Sequence, residues 1–243
     1  MQDKFLRIYK NLGETPLEAL ERVRFDNPEY ADLPMTYAGR LDPMAEGELV
    51  ILIGEECKNK EKYLNMDKEY EFEMLFGFKT DTYDLLGLSS SFYFDKNSVL
   101  ENLEKELVNF VGKRTQKYPP YSSKTLGGVP LFQKTKNGEV FDLPERQVEI
   151  YRIEFLGFRE ISGEELLEGI KNRVSLVKGD FRQEEIIKKW EDNLSGRLGE
   201  NFLIGKSKMT CSSGTYVRVL VDSISFSATT FSIKRSRVFL KDL

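Results

Sequence analysis

Apolar and polar positions divide the chain into strand-like and helix-like segments. A period of two predicts a half-buried strand over residues 70–76, where aromatic and methionine side chains alternate with glutamates. Short apolar or alternating runs predict further strands at residues 5–9, 49–53, 148–158 and 203–211.

Helical spacing predicts a helix that begins after Thr15. Thr15 can cap this helix, Pro16 suits its first position, and Glu18 can complete a capping box. Further helices are predicted at residues 100–110 and 215–224. Residues 112–138 lack clear periodicity, so we expect a long functional loop there with one short helix near Leu131. Because strands and helices mix without a βαβ rhythm, we expect an α+β fold around a mixed, mostly antiparallel sheet flanked by helices and loops.

The chain length fits one domain over residues 1–243, with a small helical insert at 160–200. The insert holds ten acidic and seven basic residues, so it accounts for most of the net charge of −4. No apolar run approaches the ~20 residues of a membrane helix, and the start of the chain shows no signal region. We therefore expect a cytoplasmic protein.

The chain contains no histidine, which excludes a Ser-His-Asp triad and any histidine-ligated metal. The two cysteines, Cys57 and Cys211, match no metal-binding spacing, and we expect both to be reduced. Catalysis would therefore rest on carboxylates, Lys, Arg, Tyr, Ser or Thr.

Basic residues are concentrated in two segments. Residues 112–137 hold six basic and no acidic residues, and residues 203–241 hold seven basic residues and one acid, Asp222. Two such segments on an acidic body could form one phosphate-binding face. The same charges also fit two solvated loops that point in different directions.

Asp42 lies in the most unusual segment, Tyr-Ala-Gly-Arg-Leu-Asp-Pro-Met-Ala-Glu-Gly at residues 37–47. Pro43 keeps Asp42 out of helical geometry, and Gly39 and Gly47 permit tight turns or the close approach of a ligand. Asp42 is thus predicted on a rigid loop before a buried strand, where catalytic groups often lie. An aspartate in this position can also make a local turn hydrogen bond.

This segment resembles the catalytic motif of TruB-family tRNA pseudouridine synthases, in which Gly-x-Leu-Asp-Pro-x-Ala-x-Gly carries the essential aspartate. Five more segments resemble family motifs in the family's order, at residues 10–15, 54–58, 68–87, 119–136 and 213–218. Each motif is weak alone, whereas six in order are specific, and the resemblance covers residues 5 to about 155 and 203–224. It implies a pseudouridine-synthase fold.

The resemblance implies an isomerase that converts a uridine in the T loop of tRNA to pseudouridine, acting as a monomer on the T arm. The reaction breaks an N-glycosidic bond and joins the sugar to carbon 5 of the base. It requires a carboxylate, an extruded nucleotide, an aromatic platform for the base and a cation beside the carboxylate. It needs no cofactor and no metal.

The resemblance assigns roles to individual residues. It implies that Asp42 is the nucleophile, that Tyr70 packs on the extruded base, and that Arg218 grips Asp42 bidentately. By pattern alone, Tyr70 also fits a core aromatic, and Arg218 an exposed helix arginine. Substrate-binding or supporting roles are implied for Lys10, Tyr37, Asp84, Tyr121, Lys136 and Tyr216. Asp84 would be an RNA contact or a loop brace, and residues 113–137 would clamp the T arm.

Several positions depart from the family pattern. Tyr37 replaces a histidine that helps hold the disrupted T loop, and Asn11 replaces a proline. Residues 233–238 blur the family's C-terminal motif, and the chain stops soon after them, which implies a short form without the PUA domain of many relatives. The 160–200 segment has no counterpart in the pattern. These departures bear on the choice of RNA rather than on the chemistry.

Two other functions remain open. The Gly-Arg-Leu-Asp at residues 39–42 also resembles RluA-type synthases, which modify ribosomal and transfer RNA, although residues 214–218 are TruB-like. A chaperone that folds tRNA with little catalysis is the alternative from a different class.

Overall fold

The computed structural model describes residues 4–240. Within them the chain forms the strands β1 Phe5–Lys10, β2 Met35–Ala38, β3 Ala45–Ile53, β4 Lys68–Phe76, β5 Phe78–Thr80, β6 Ser89–Ser91, β7 Gly112–Lys117, β8 Thr125–Leu126, β9 Val129–Pro130, β10 Glu145–Ser162, β11 Asn201–Cys211 and β12 Ala228–Val238. Its α-helices are α1 Pro16–Asp26, α2 Lys60–Leu64, α3 Lys96–Val108, α4 Leu131–Lys136, α5 Gly163–Ser175, α6 Gln183–Leu194 and α7 Val217–Ser223. Two short 3₁₀ helices cover Pro28–Tyr30 and Gly54–Asn59.

One eight-stranded sheet organises the fold. Its strand order is β1-β3-β12-β4-β11-β10-β7, and β2 pairs with β3. Among the described strands, the β12–β3 pair is parallel and the sheet's other pairs are antiparallel. The predicted α+β fold with a mixed, mostly antiparallel sheet is therefore confirmed. None of the helices between residues 4 and 240 has the length and apolarity needed to cross a bilayer.

Local sequence signals explain the clearest elements. The side-chain hydroxyl of Thr15 accepts from Glu18 N, and the Glu18 carboxylate accepts from Thr15 N, so the predicted capping box is present. In β4 the alternation places Phe72 and Met74 in the core, whereas Glu71 and Glu73 are less buried.

Among the strands that the sequence pattern does not predict, β7 and β12 are the two that bear most on the site. Residues 112–117 were expected in a loop, but they form β7, the edge strand that pairs with β10. All but the first of its residues are polar, so no apolar alternation marks it. The strand β12 lies centrally, between β3 and β4, and buries Thr229, Thr230 and Arg235. Buried polar residues of this kind hide a core strand from a hydropathy pattern.

The helices α5 and α6 occupy the 160–200 segment, between β10 and β11. Their apolar faces join a core cluster with Leu85 and Leu86. The indole of Trp190 donates to Leu85 O at 3.3 Å, and the Asn193 amide donates to Ser89 O at 2.8 Å. The segment therefore packs against the β5–β6 connection, which contains Asp84.

Candidate active site

Asp42 lies in the loop between β2 and β3. Ala45 N donates to Asp42 O at 3.0 Å, which closes a tight turn before β3. Gly47 has φ +113°, and a Cβ atom there would lie 2.2 Å from Arg235 O on the parallel neighbour β12. Only glycine allows the two strands to approach this closely. The pairing of β3 with β12 therefore fixes the position of the strand that follows the Asp42 loop.

Arg218, on α7, is the structural centre of the site. Its Nε donates to Asp42 Oδ2 at 2.8 Å and lies 3.5 Å from Asp84 Oδ2. Its two terminal nitrogens donate to Thr82 O at 2.5 Å and Tyr121 O at 3.2 Å. The expected bidentate grip on Asp42 is therefore wrong, because the guanidinium is shared among two carboxylates and two carbonyls.

The carboxylates of Asp42 and Asp84 differ in burial. The side chain of Asp42 is 35% exposed, whereas those of Asp84 and Arg218 are 8% and 3% exposed. Burial raises the pKa of Asp84 to about 6, Arg218 opposes the rise, and Asp42 adds to it. Burial tends to lower the pKa of Arg218, but Asp42 and Asp84 together raise it above its ordinary value.

The exposed side of Asp42 opens into a cavity of about 390 Å³, which we call the catalytic cavity. Tyr70, Tyr216 and Arg218 line it together with Asp42. Tyr70 is only 8% exposed and also belongs to the hydrophobic core. The two interpretations of Tyr70, as a site residue and as a core aromatic, are therefore compatible. Burial raises the pKa of Tyr216 to about 12, and burial likewise raises that of Tyr70.

Tyr216 is anchored through its backbone. The Gln116 amide accepts from Tyr216 N at 2.8 Å and donates to Tyr216 O at 3.0 Å. The ring of Tyr216 meets Tyr118 edge-on, with 5.6 Å between centroids. The edge strand β7, missed in the sequence, therefore holds one wall of the catalytic cavity.

A second cavity of about 380 Å³ lies on the other side of Asp42 and Arg218. It receives Tyr37, Asp84, Tyr121 and Lys136, together with Phe132, Phe181 and Arg182. The structure thus divides the expected site residues other than Lys10 between two adjoining cavities that share Asp42 and Arg218.

Three expected site residues are held by protein partners. Asp84 is buried and accepts from Thr82 Oγ1 and Leu86 N, which favours the loop brace over an RNA contact. The ammonium of Lys136 pairs with Asp180 at 2.9 Å. Lys10 lines neither cavity: it is fully buried and donates to backbone carbonyls. Burial lowers the pKa of Lys10 to about 8.

Four basic residues of the catalytic cavity, Arg40, Lys68, Arg146 and Arg235, were not identified as site residues in the sequence. Arg235 is 1% exposed and donates to Glu48 O and Arg40 O. Lys68 is 4% exposed, and burial, followed by the charge of Arg235, lowers its pKa to about 8. Arg146 comes from the start of β10. Lys68 and Arg235 lie inside segments with family-like motifs, whereas no motif marks Arg146.

Between residues 4 and 240, no group of three acidic or cysteine side chains is placed to hold a metal ion. The site therefore combines a partly exposed carboxylate, a buried guanidinium and two tyrosines in the lining of one cavity.

Comparison with protein families gives a match over residues 34–180 to the model described as TruB family pseudouridylate synthase, N-terminal domain. The chain is 26% identical over 245 residues to tRNA pseudouridine synthase B of Borrelia garinii subsp. bavariensis, covering 98% of this chain and 70% of that protein. It is 37% identical over 122 residues to tRNA pseudouridine synthase B of Xanthomonas oryzae pv. oryzae, covering 50% of this chain and 40% of that protein.

Among solved structures, the chain is similar to one from a crystal structure of a Cbf5-Nop10-Gar1 complex. The TM-score is 0.52 at 15% identity, over 96% of this chain and 48% of that chain. This likeness concerns the fold. The chain thus spans about half of that solved chain and from 40% to 70% of the two named relatives.

Proposed function

The chain belongs to the TruB family of pseudouridylate synthases, and from this premise we propose that it converts a uridine in the T loop of tRNA to pseudouridine with Asp42 as the nucleophile. The observation that carries the proposal is the Asp42–Arg218 pair, in which a half-exposed carboxylate meets a buried guanidinium at the edge of a cavity walled by Tyr70 and Tyr216.

The proposed reaction is an isomerisation with a covalent intermediate. The Asp42 carboxylate attacks the sugar carbon of the N-glycosidic bond, and the base leaves with the bonding electron pair. After the base turns, its carbon 5 attacks the same sugar carbon and displaces the carboxylate. Carbon 5 then releases its proton to solvent, and the nitrogen that left the sugar takes up a proton.

Contacts of Asp42 fit this role. Its Oδ2 accepts from Arg218, whereas no side chain in the described part of the chain donates to Oδ1. One oxygen is therefore anchored while the other is available for attack. The anchoring donor is fixed in turn by Thr82 O, Tyr121 O and Asp84, so the carboxylate is positioned before the substrate arrives.

The aromatic walls supply the place for the base. A uridine inside a stacked loop cannot reach Asp42, so the target nucleotide must leave its stack. Tyr70 and Tyr216 offer planar surfaces for the extruded base beside Asp42. The homologous proteins named tRNA pseudouridine synthase B support tRNA as the substrate class, and the basic 113–137 segment supports a clamp on the T arm.

Tritium release from tRNA that carries 5-tritiated uridine tests the proposal, because the isomerisation expels the proton of carbon 5. We expect release from full tRNA and from an isolated T-arm hairpin, and none from a hairpin whose target uridine is replaced by cytidine. Release from ribosomal RNA but not from tRNA would contradict the T-loop assignment. Binding and refolding of tRNA without any release would instead support the chaperone alternative. Monomeric and cytoplasmic states stay predictions.

A further inference from the structure

The catalytic cavity contains charged groups besides the Asp42–Arg218 pair. Lys68 and Arg146 line it together with Gly214 in the turn between β11 and α7, and we call this part of the lining the Arg146 end. Over the whole cavity, five cationic side chains face two acidic ones, Asp42 and Glu61. This excess of positive charge favours an anionic ligand.

Arg146 has no partner in the protein. Within residues 4–240, its guanidinium makes no hydrogen bond, ion pair or ring contact. Arg218, in the same cavity, uses all three nitrogen atoms on protein acceptors. A guanidinium is always charged and offers five N–H donors, so Arg146 is left with an unused capacity to bind an oxyanion.

The turn beside Arg146 is built to hold it. Gly214 has φ +77°, and a Cβ atom there would lie 1.9 Å from an Arg146 terminal nitrogen, so the guanidinium rests directly on the Gly214 backbone. Ser212 fastens this turn to β10, because Ser212 N donates to Glu149 O and Ser212 Oγ accepts from Glu149 N, both at 2.8 Å. Arg146 is thereby placed on a rigid surface.

Lys68 supplies a second cation that is nine-tenths buried. Its ammonium donates to Leu64 O at 2.9 Å, and this one contact leaves two of its three N–H groups for a ligand. These two donors line the same cavity, and one of them is a planar fork, a combination that suits the oxygens of a phosphodiester.

We propose that Arg146, assisted by Lys68, binds a phosphodiester of the RNA strand next to the nucleotide that enters the catalytic cavity. This inference rests on the proposed function, because it takes the ligand of the cavity to be an RNA nucleotide. Arg146 would act on binding and not on the chemical step, since the phosphodiester keeps its charge throughout the reaction.

The test replaces Arg146 by glutamine and uses Arg152→Gln as the matched control. Arg152 lies on the same strand, is 74% exposed and lies outside the catalytic cavity. We expect Arg146→Gln to weaken binding of a T-arm hairpin by about 10-fold or more, and to reduce the slope of log affinity against log salt by about 1. Under turnover, KM rises and kcat is retained.

A methylphosphonate placed on either side of the target uridine identifies the contact. At one of the two positions the neutral linkage should weaken binding to wild type and to Arg152→Gln, but cause no further loss with Arg146→Gln. Additive losses at both positions, or a salt slope for Arg146→Gln equal to that of the control, would overturn the inference.

The two proposals fail separately. If the methylphosphonate and Arg146→Gln show non-additive losses of binding but wild type releases no tritium, the proposed reaction alone is refuted. If wild type releases tritium but the two losses are additive, the phosphodiester contact alone is refuted. Arg146→Lys, which keeps the charge but not the fork, should recover the salt slope in part and shows that the site still folds.

Discussion

The two ends of the catalytic cavity are built in opposite ways. At the Asp42 end, Arg218 is buried and fully engaged by two carboxylates and two carbonyls. At the Arg146 end, the guanidinium lies on a glycine surface and has no polar partner within residues 4–240. Arg218 donates to protein acceptors through all three of its nitrogen atoms, whereas the donors of Arg146 are free for a ligand. In this account Arg218 positions Asp42 for the reaction, and Arg146 binds the substrate.

Loss of Arg218 should have the largest effect. Arg218→Met leaves the buried Asp84 without its cation, so we expect the free energy of unfolding to fall by about 3–5 kcal/mol and tritium release to disappear. Arg146→Gln should change that free energy by less than about 1 kcal/mol, because it breaks no hydrogen bond or ion pair within residues 4–240. Urea unfolding of both variants measures the contrast, and equal destabilisation would contradict it.

Asp84 should make the stability of the Asp42 end depend on pH. Its pKa is raised from 3.8 to about 6, mainly by burial. The fold therefore favours the protonated form, and stability is lost as the pH rises from about 4 to about 6 because the unfolded chain ionises first. The free energy of unfolding of wild type, minus that of Asp84→Asn, should fall by about 3 kcal/mol across this window. A difference that stays constant between pH 4 and 7 would refute the burial effect.

Gly214→Ala tests the Arg146 end without touching a charge. Gly196 has the same φ of +77°, but a Cβ atom added there would have no neighbour within 4 Å, so Gly196→Ala reproduces the backbone strain alone. Both variants should lose about 1–2 kcal/mol of unfolding free energy. Only Gly214→Ala should displace Arg146 and weaken binding of the T-arm hairpin. Equal RNA affinities for the two variants would show that the position of Arg146 is immaterial.

The smallest effect is expected at the edge of the second cavity. Asp180 pairs with Lys136 there, and its carboxylate is largely exposed. Asp180→Asn should strengthen RNA binding by about 2- to 3-fold at low salt, since it releases a cation and removes a charge that repels phosphate. Hairpin affinity at two salt concentrations measures this, and Lys136→Met should act in the opposite direction.

Sequence patterns were sufficient where one local rule determines an element. The Thr15–Glu18 capping box and the alternation in β4 both depend on neighbours along the chain. The strand β12 was missed because its buried positions include Thr229, Thr230 and Arg235, whose burial depends on partners in other strands. That residues 160–200 form an insert without a counterpart in the family pattern stays a prediction.

The candidate site shows the same limit. The motifs around Asp42 and Arg218 could be matched to a family from the sequence. The contacts of the Arg218 guanidinium with Asp84 and two backbone carbonyls could not be predicted from those motifs. No motif marks Arg146, because its significance comes from Gly214 folding against it and from the absence of a counterion in the described residues.

The most direct test of the account is a single-turnover tritium-release measurement with excess enzyme, comparing wild type with Asp42→Asn on the same T-arm hairpin. Hairpin affinity is measured in parallel, so that loss of chemistry is separated from loss of binding. The account predicts release by wild type, no release by Asp42→Asn, and affinities within about 10-fold of each other, because capture depends on the Arg146 end and the phosphate contacts. Release by Asp42→Asn at a rate near that of wild type would contradict the assignment of Asp42 as the nucleophile.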